Sequence, residues 1–77
     1  MKLNIYAIKD TIVGSFMNPF YLQNDEQAKR SFKLATNDEK SDYSKIKKDL
    51  QLFKIGTFDD ESGIIENEIT FLINGEE

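Results

Sequence analysis

The chain has 77 residues, ten Lys and Arg against fourteen Asp and Glu for a net charge of −4, and neither cysteine nor histidine. That excludes disulfides, zinc sites of the usual kind, Cys or His nucleophiles and imidazole bases. It sets the expectation of one small domain over residues 1–77, with no cofactor, supported by association with a second copy.

Charge is uneven along the chain. Residues 1–56 carry all ten bases against seven acids; residues 57–77 carry seven acids and no base. Such asymmetry points to a charged partner. No apolar run approaches the roughly 20 residues of a membrane span, and the N-terminus is too short for a signal-peptide core. The expectation is a soluble, intracellular protein without a membrane partner.

In chain order, residues 2–9 alternate as a strand. Leu3, Ile5 and Ala7 share one face; Asn4, Tyr6 and Ile8 share the other. Asp10 and Thr11 read as a turn, and Gly14 breaks the apolar run 12–16. Asn18-Pro19 is a turn or strand-entry signal, and residues 20–23 form a short strand. Asn24 is a good helix N-cap, with Gln27 placed to reach back to the cap's own N–H. Asp25 and Glu26 suit the first turn. Ala28, Phe32 and Ala35 recur on one face, so a helix over residues 25–36 has an apolar back and a front of Lys29, Arg30 and Lys33.

Residues 37–49 read as a polar loop with one helical turn, holding the basic tetrad Lys45-Ile46-Lys47-Lys48. Residues 50–58 are the strongest strand, with Leu50, Leu52, Gly56 and Phe58 on one parity and Phe53, Ile55 and Thr57 on the other. The segment Asp59-Asp60-Glu61-Ser62-Gly63 is a hairpin turn, and Ile64 to Asn67 pairs back. The following strand is apolar on both faces, with Ile69, Phe71 and Ile73 on one and Leu72 on the other. These four residues are the candidate oligomer interface, a dimer being the favoured form. The order is β-β-α-β-β, an α+β fold: a small antiparallel sheet with one helix packed on one face.

For catalysis the signals are poor. Asp59, Asp60 and Glu61 sit where a turn needs them, the four glycines are isolated, and no serine has an activating base. No enzyme activity is expected.

Several segments together resemble the small non-structural protein of gokushoviruses, the tailless single-stranded DNA phages of the Microviridae. They are the strand Leu3-Asn4-Ile5-Tyr6-Ala7-Ile8-Lys9-Asp10, the run Phe16-Met17-Asn18-Pro19-Phe20-Tyr21-Leu22-Gln23-Asn24-Asp25, and the helix with Ala28, Arg30 and Phe32. Then come Asp49-Leu50-Gln51-Leu52-Phe53-Lys54-Ile55-Gly56-Thr57-Phe58-Asp59-Asp60 and Gly63-Ile64-Ile65. The resemblance covers about residues 2–65. It implies a DNA-binding phage protein of the host cytoplasm, absent from the virion. Its place would be the switch from double-stranded replication to single-stranded genome synthesis.

Beside that resemblance stands a physical reading. Single-strand binders join a basic groove to aromatics that stack on bases. The candidate contacts are Lys29, Arg30, Lys33, Lys45, Lys47 and Lys48, with Tyr21 and Tyr43; Tyr6 is a further aromatic expected to be partly exposed. An ordinary solvated face, with Asp25 and Glu26 pairing Lys29 and Arg30, is the bland alternative. The alternative function is an interaction module whose acidic C-terminal third binds a basic phage or host replication protein without touching DNA.

Overall fold

The computed structural model describes residues 1–76. Strand β1 (Lys2–Asp10) is followed by β2 (Ser15–Phe16), β3 (Phe20–Leu22), helix α1 (Asp25–Asn37), the single turn α2 (Asp42–Lys45) and a 3₁₀ turn (Lys47–Asp49). Strands β4 (Leu50–Asp59) and β5 (Ile65–Asn74) complete the chain. The strands form one antiparallel sheet in the order β2-β1-β4-β5, with β3 also on β1. This is the α+β architecture expected from the sequence. Among the described residues, no helix is long and apolar enough to cross a membrane.

β1 and β4 are the two inner strands, β4 lying between β1 and β5, and β1 is paired on both of its own edges. β4 takes one edge over nine residue pairs, from Lys2 opposite Asp59 to Asp10 opposite Leu50. β2 and β3 share the other edge, opposite Lys9–Asp10 and Asn4–Tyr6. Pro19 lies between them, where a missing N–H breaks an outer strand cheaply. The turn from β1 to β2 is tied by the Asp10 carboxylate, which accepts from the N–H groups of Ile12 and Val13 at 3.0 and 3.3 Å.

Helix α1 begins as its sequence dictates. Asn24 Oδ1 accepts from the Gln27 N–H at 2.9 Å. Gln27 Oε1 reaches back one residue further than expected, accepting from the Gln23 N–H at 3.2 Å. Ala28, Phe32 and Thr36 are buried. The Thr36 hydroxyl is buried harmlessly, since it donates to the Phe32 carbonyl at 3.0 Å. The helix lies over Tyr6, Ile8, Leu50, Leu52 and Ile73, which form the core with Ala28 and Phe32. Phe20, Leu22, Tyr43, Ile46 and Leu72 close its margins.

Two irregularities decide which face each later side chain takes. β4 pairs Lys54 with Tyr6 and then Gly56 with Ile5, so Ile55 is an extra residue against β1. β5 pairs Ile73 with Leu52 and then Phe71 with Phe53, so Leu72 is an extra residue against β4. An extra residue shifts parity by one. Phe58 therefore leaves the side of Leu50 and Leu52, contrary to strict alternation. Ile73 likewise leaves the side of Phe71 and enters the core at 8% exposure. Gly56 is required where it stands, because a Cβ there would collide with the Glu66 carbonyl across the ladder.

Candidate nucleic-acid interface

The helical layer gathers most of the basic side chains singled out in the sequence. Lys29, Arg30 and Lys33 lie on the outer side of α1, away from buried Ala28 and Phe32. Residues 45–48 follow in α2 and the 3₁₀ turn, and α2 packs against α1. The solvated-face alternative required Asp25 and Glu26 to neutralise the helix. Only one such pair forms, Glu26 to Lys29 at 3.8 Å. Asp25 is engaged elsewhere, accepting from the Tyr6 hydroxyl at 2.7 Å. Arg30, Lys33, Lys47 and Lys48 make no ion pair among the described residues, while Lys45 meets Asp42 at 3.8 Å.

The hairpin acids of the C-terminal third are held apart from this surface, whereas Glu76 follows Gly75, which packs on the Lys47 carbonyl. β4 runs from the basic turn, next to Leu50, to the acidic hairpin that begins at Asp59. Ten residues at about 3.3 Å each separate the two by roughly 30 Å. At the hairpin, Asp59 accepts from the Glu61 N–H at 2.9 Å, and this bond holds its carboxyl below the usual range. Asp60 pairs with the Met1 amine at 2.8 Å, raising that amine's pKa. Glu66 and Glu68 meet Lys2 and Lys54 at 3.8 and 3.7 Å. These carboxylates serve turn geometry and local pairing.

The aromatic side chains fall elsewhere than expected. Tyr6 is fully buried. Its hydroxyl donates to Asp25 and accepts from Asn4 Nδ2 at 3.0 Å. Burial, with the Asp25 hydrogen bond, pushes its pKa up to about 12. Tyr43 is half-buried against the core beside α1. Tyr21 is 49% exposed, but it alternates away from Phe20 and Leu22, which pack toward the helix. It therefore lies on the opposite side of the sheet from Lys29, Arg30 and Lys33. The basic surface and the one well-exposed tyrosine are not brought together.

On Tyr21's side the sheet carries a surface that alternation alone did not reveal. Phe16, Phe53 and Phe71 form a row across three strands, with ring centroids 5.4 and 5.7 Å apart and edges turned to faces. Tyr21 and Phe58 form a second contact at 6.1 Å. Lys9 lies 5.7 Å above the Phe16 ring. Of the four residues expected at an oligomer interface, Ile69 and Phe71 are exposed, at 64% and 45%. Leu72 and Ile73 pack on the core. The signal for this face was present in the Phe content of β4 and β5, but its parity was set by the two irregularities.

Among known proteins, the chain matches the family described as Phage ORF5 protein over residues 3–77. No curated protein matches it. No solved structure matches it either.

Proposed function

Since the chain belongs to the Phage ORF5 protein family and is a phage protein, we propose that it is a DNA-binding accessory of viral DNA replication. In this reading it binds single-stranded DNA through its helical layer, in the host cytoplasm. The resemblance to gokushovirus non-structural proteins supports the same role, at the turn toward single-stranded genome synthesis. The observation that carries the reading is the set of unneutralised cations Arg30, Lys33, Lys47 and Lys48, with the acidic hairpin about 30 Å away along β4. Phosphate binding by a net-negative protein is helped when acids lie away from its bases; the length of β4 removes the three hairpin acids, while Asp42 and Asp49 stay beside residues 45–48.

Binding of this kind depends on salt, because each phosphate neutralised on a single strand contributes roughly 0.7 to the slope of log K against log salt. Titrating a labelled single-stranded oligonucleotide over a range of salt concentrations measures that slope. Changing Lys45, Lys47 and Lys48 together to Ala should make it shallower by up to about 2, and Arg30→Ala with Lys33→Ala by up to about 1.4. Lys47, Lys48 and the helix pair should dominate, since Lys45 is already paired. Absence of binding at low ionic strength would sink this reading. The leading alternative would then be a module that presents the acidic hairpin, with Asp60 and Glu61 exposed, to a basic replication protein.

A further inference from the structure

We propose that the open face of the sheet is the contact between two copies of this chain, stacked face to face. The face is formed by Phe16, Tyr21, Phe53, Phe58, Ile69 and Phe71 on the side of the sheet away from α1. No element among the described residues covers it. Exposed apolar patches of this continuity mark interaction surfaces.

The chemistry of the face selects a second copy as occupant. By register, the carboxylates of β5 fall on the other side: Glu66 stands opposite Thr57, and Glu68 reaches Lys54, whose partner Tyr6 is in the core. Lys9, lying on a ring, is the one charged side chain that the register places on the face. A single-stranded nucleic acid needs a basic track beside its stacking rings, and one lysine does not make one. Two copies of the face bury nothing ionised at their centre. The molecule measures 39 by 23 by 18 Å along its principal axes. A face bounded by the two longer dimensions is of the size that stable pairs bury, about 800 Å² per partner.

The product is a four-layer particle, helix-sheet-sheet-helix, with both basic layers facing outward. It does not depend on what those layers bind.

Sedimentation equilibrium of the chain without DNA, at tens of micromolar, tests the contact. The expected mass is twice the 8.9 kDa of one chain. Ile69→Lys with Phe71→Lys should halve it, with the far-UV circular dichroism unchanged, since both positions are exposed in the single chain. A single-chain mass for the unmodified protein overturns the proposal. Tyrosine fluorescence that an oligonucleotide quenches in the unmodified chain, but not in Tyr21→Phe, would then assign the face to nucleobases. A dimer that survives the double substitution also overturns it, because the contact then lies elsewhere.

The mass measurements use no DNA, so they stand or fall separately from the salt titration.

Discussion

On one side of the sheet, Tyr6, Ile8, Leu50, Leu52 and Ile73 lie under α1; on the other, Phe16, Phe53, Phe58 and Phe71 lie under no described element. The covered side joins aliphatic side chains to Tyr6 and Phe32, and among the described residues no buried side-chain polar atom lacks a partner. The open side is mainly aromatic, and its rings lean edge-on against one another. Ile5 and Ala7 are nearly inaccessible there although no helix covers them. In register, Ile5 has Tyr21 on one side, and Ala7 has Phe53 beside it. The difference teaches that a small sheet can bury its central strand twice, once under a helix and once between the tall side chains of its neighbours. Only the first kind of burial is complete within one chain.

The sharpest way to break this comparison is to remove a side chain from each face and weigh the losses. Phe32→Ala should cost about 3–5 kcal/mol, since the ring is buried beneath the helix and leaves a cavity. Leu52→Ala should cost about 2–5 kcal/mol for the same reason. Phe53→Ala, one residue along and on the other face, should cost less in dilute protein. Its cost should grow with concentration as a second copy covers the face. Urea denaturation at two protein concentrations measures all three. Equal, concentration-independent losses at Leu52 and Phe53 would mean that the two faces do not differ as described.

A smaller effect concerns the Tyr6 hydroxyl of the covered face. Tyr6→Phe should cost about 1–2 kcal/mol at neutral pH, the usual worth of a hydrogen bond to a carboxylate. The Tyr6 pKa is pushed up from 10 to about 12 by burial. Between those values the unfolded chain gives up the phenolic proton while the folded chain keeps it. Stability from this group is thus whole below pH 10 and falls as pH rises toward 12, by about 2 kcal/mol at pH 12. Subtracting the alkaline denaturation curve of Tyr6→Phe should isolate that fall, and matching slopes would remove Tyr6 as its source. Smallest of all, Lys33→Ala should stay within about 0.5 kcal/mol, being exposed and unpaired.

The helix was legible because its signals are local. Asn24, Gln27 and the spacing of Ala28 and Phe32 place α1 within one residue of its observed end at Asn37. The turns at Asp10 and Gly63 were legible for the same reason, Gly63 taking the positive φ of 76° that its hairpin needs. The sides taken by Phe58 and Ile73 were not. They follow from single extra residues, Ile55 and Leu72, and those are decided by how two strands fit each other. Tyr6 was misread as partly exposed because nothing in alternation tells that Asp25, nineteen positions on, receives its hydroxyl. The basic patch was visible as composition, but its distance from the hairpin acids came only with the direction of β4.

The central position of β1 also bears on how the chain reaches its fold. β1 is made first, yet its longest partner starts at Leu50, forty residues after Asp10. Closing a loop of that length costs about 3 kcal/mol of chain entropy, against about 1.5 for the short hairpin between β4 and β5. Until β4 emerges from the ribosome, β1 can be held only by its local neighbours β2 and β3. In synthesis β1, β2, β3 and α1 therefore precede the hairpin that completes the sheet. Refolding from denaturant has no such order, and the two routes should differ most in how long the apolar edge of β1 stays unpaired.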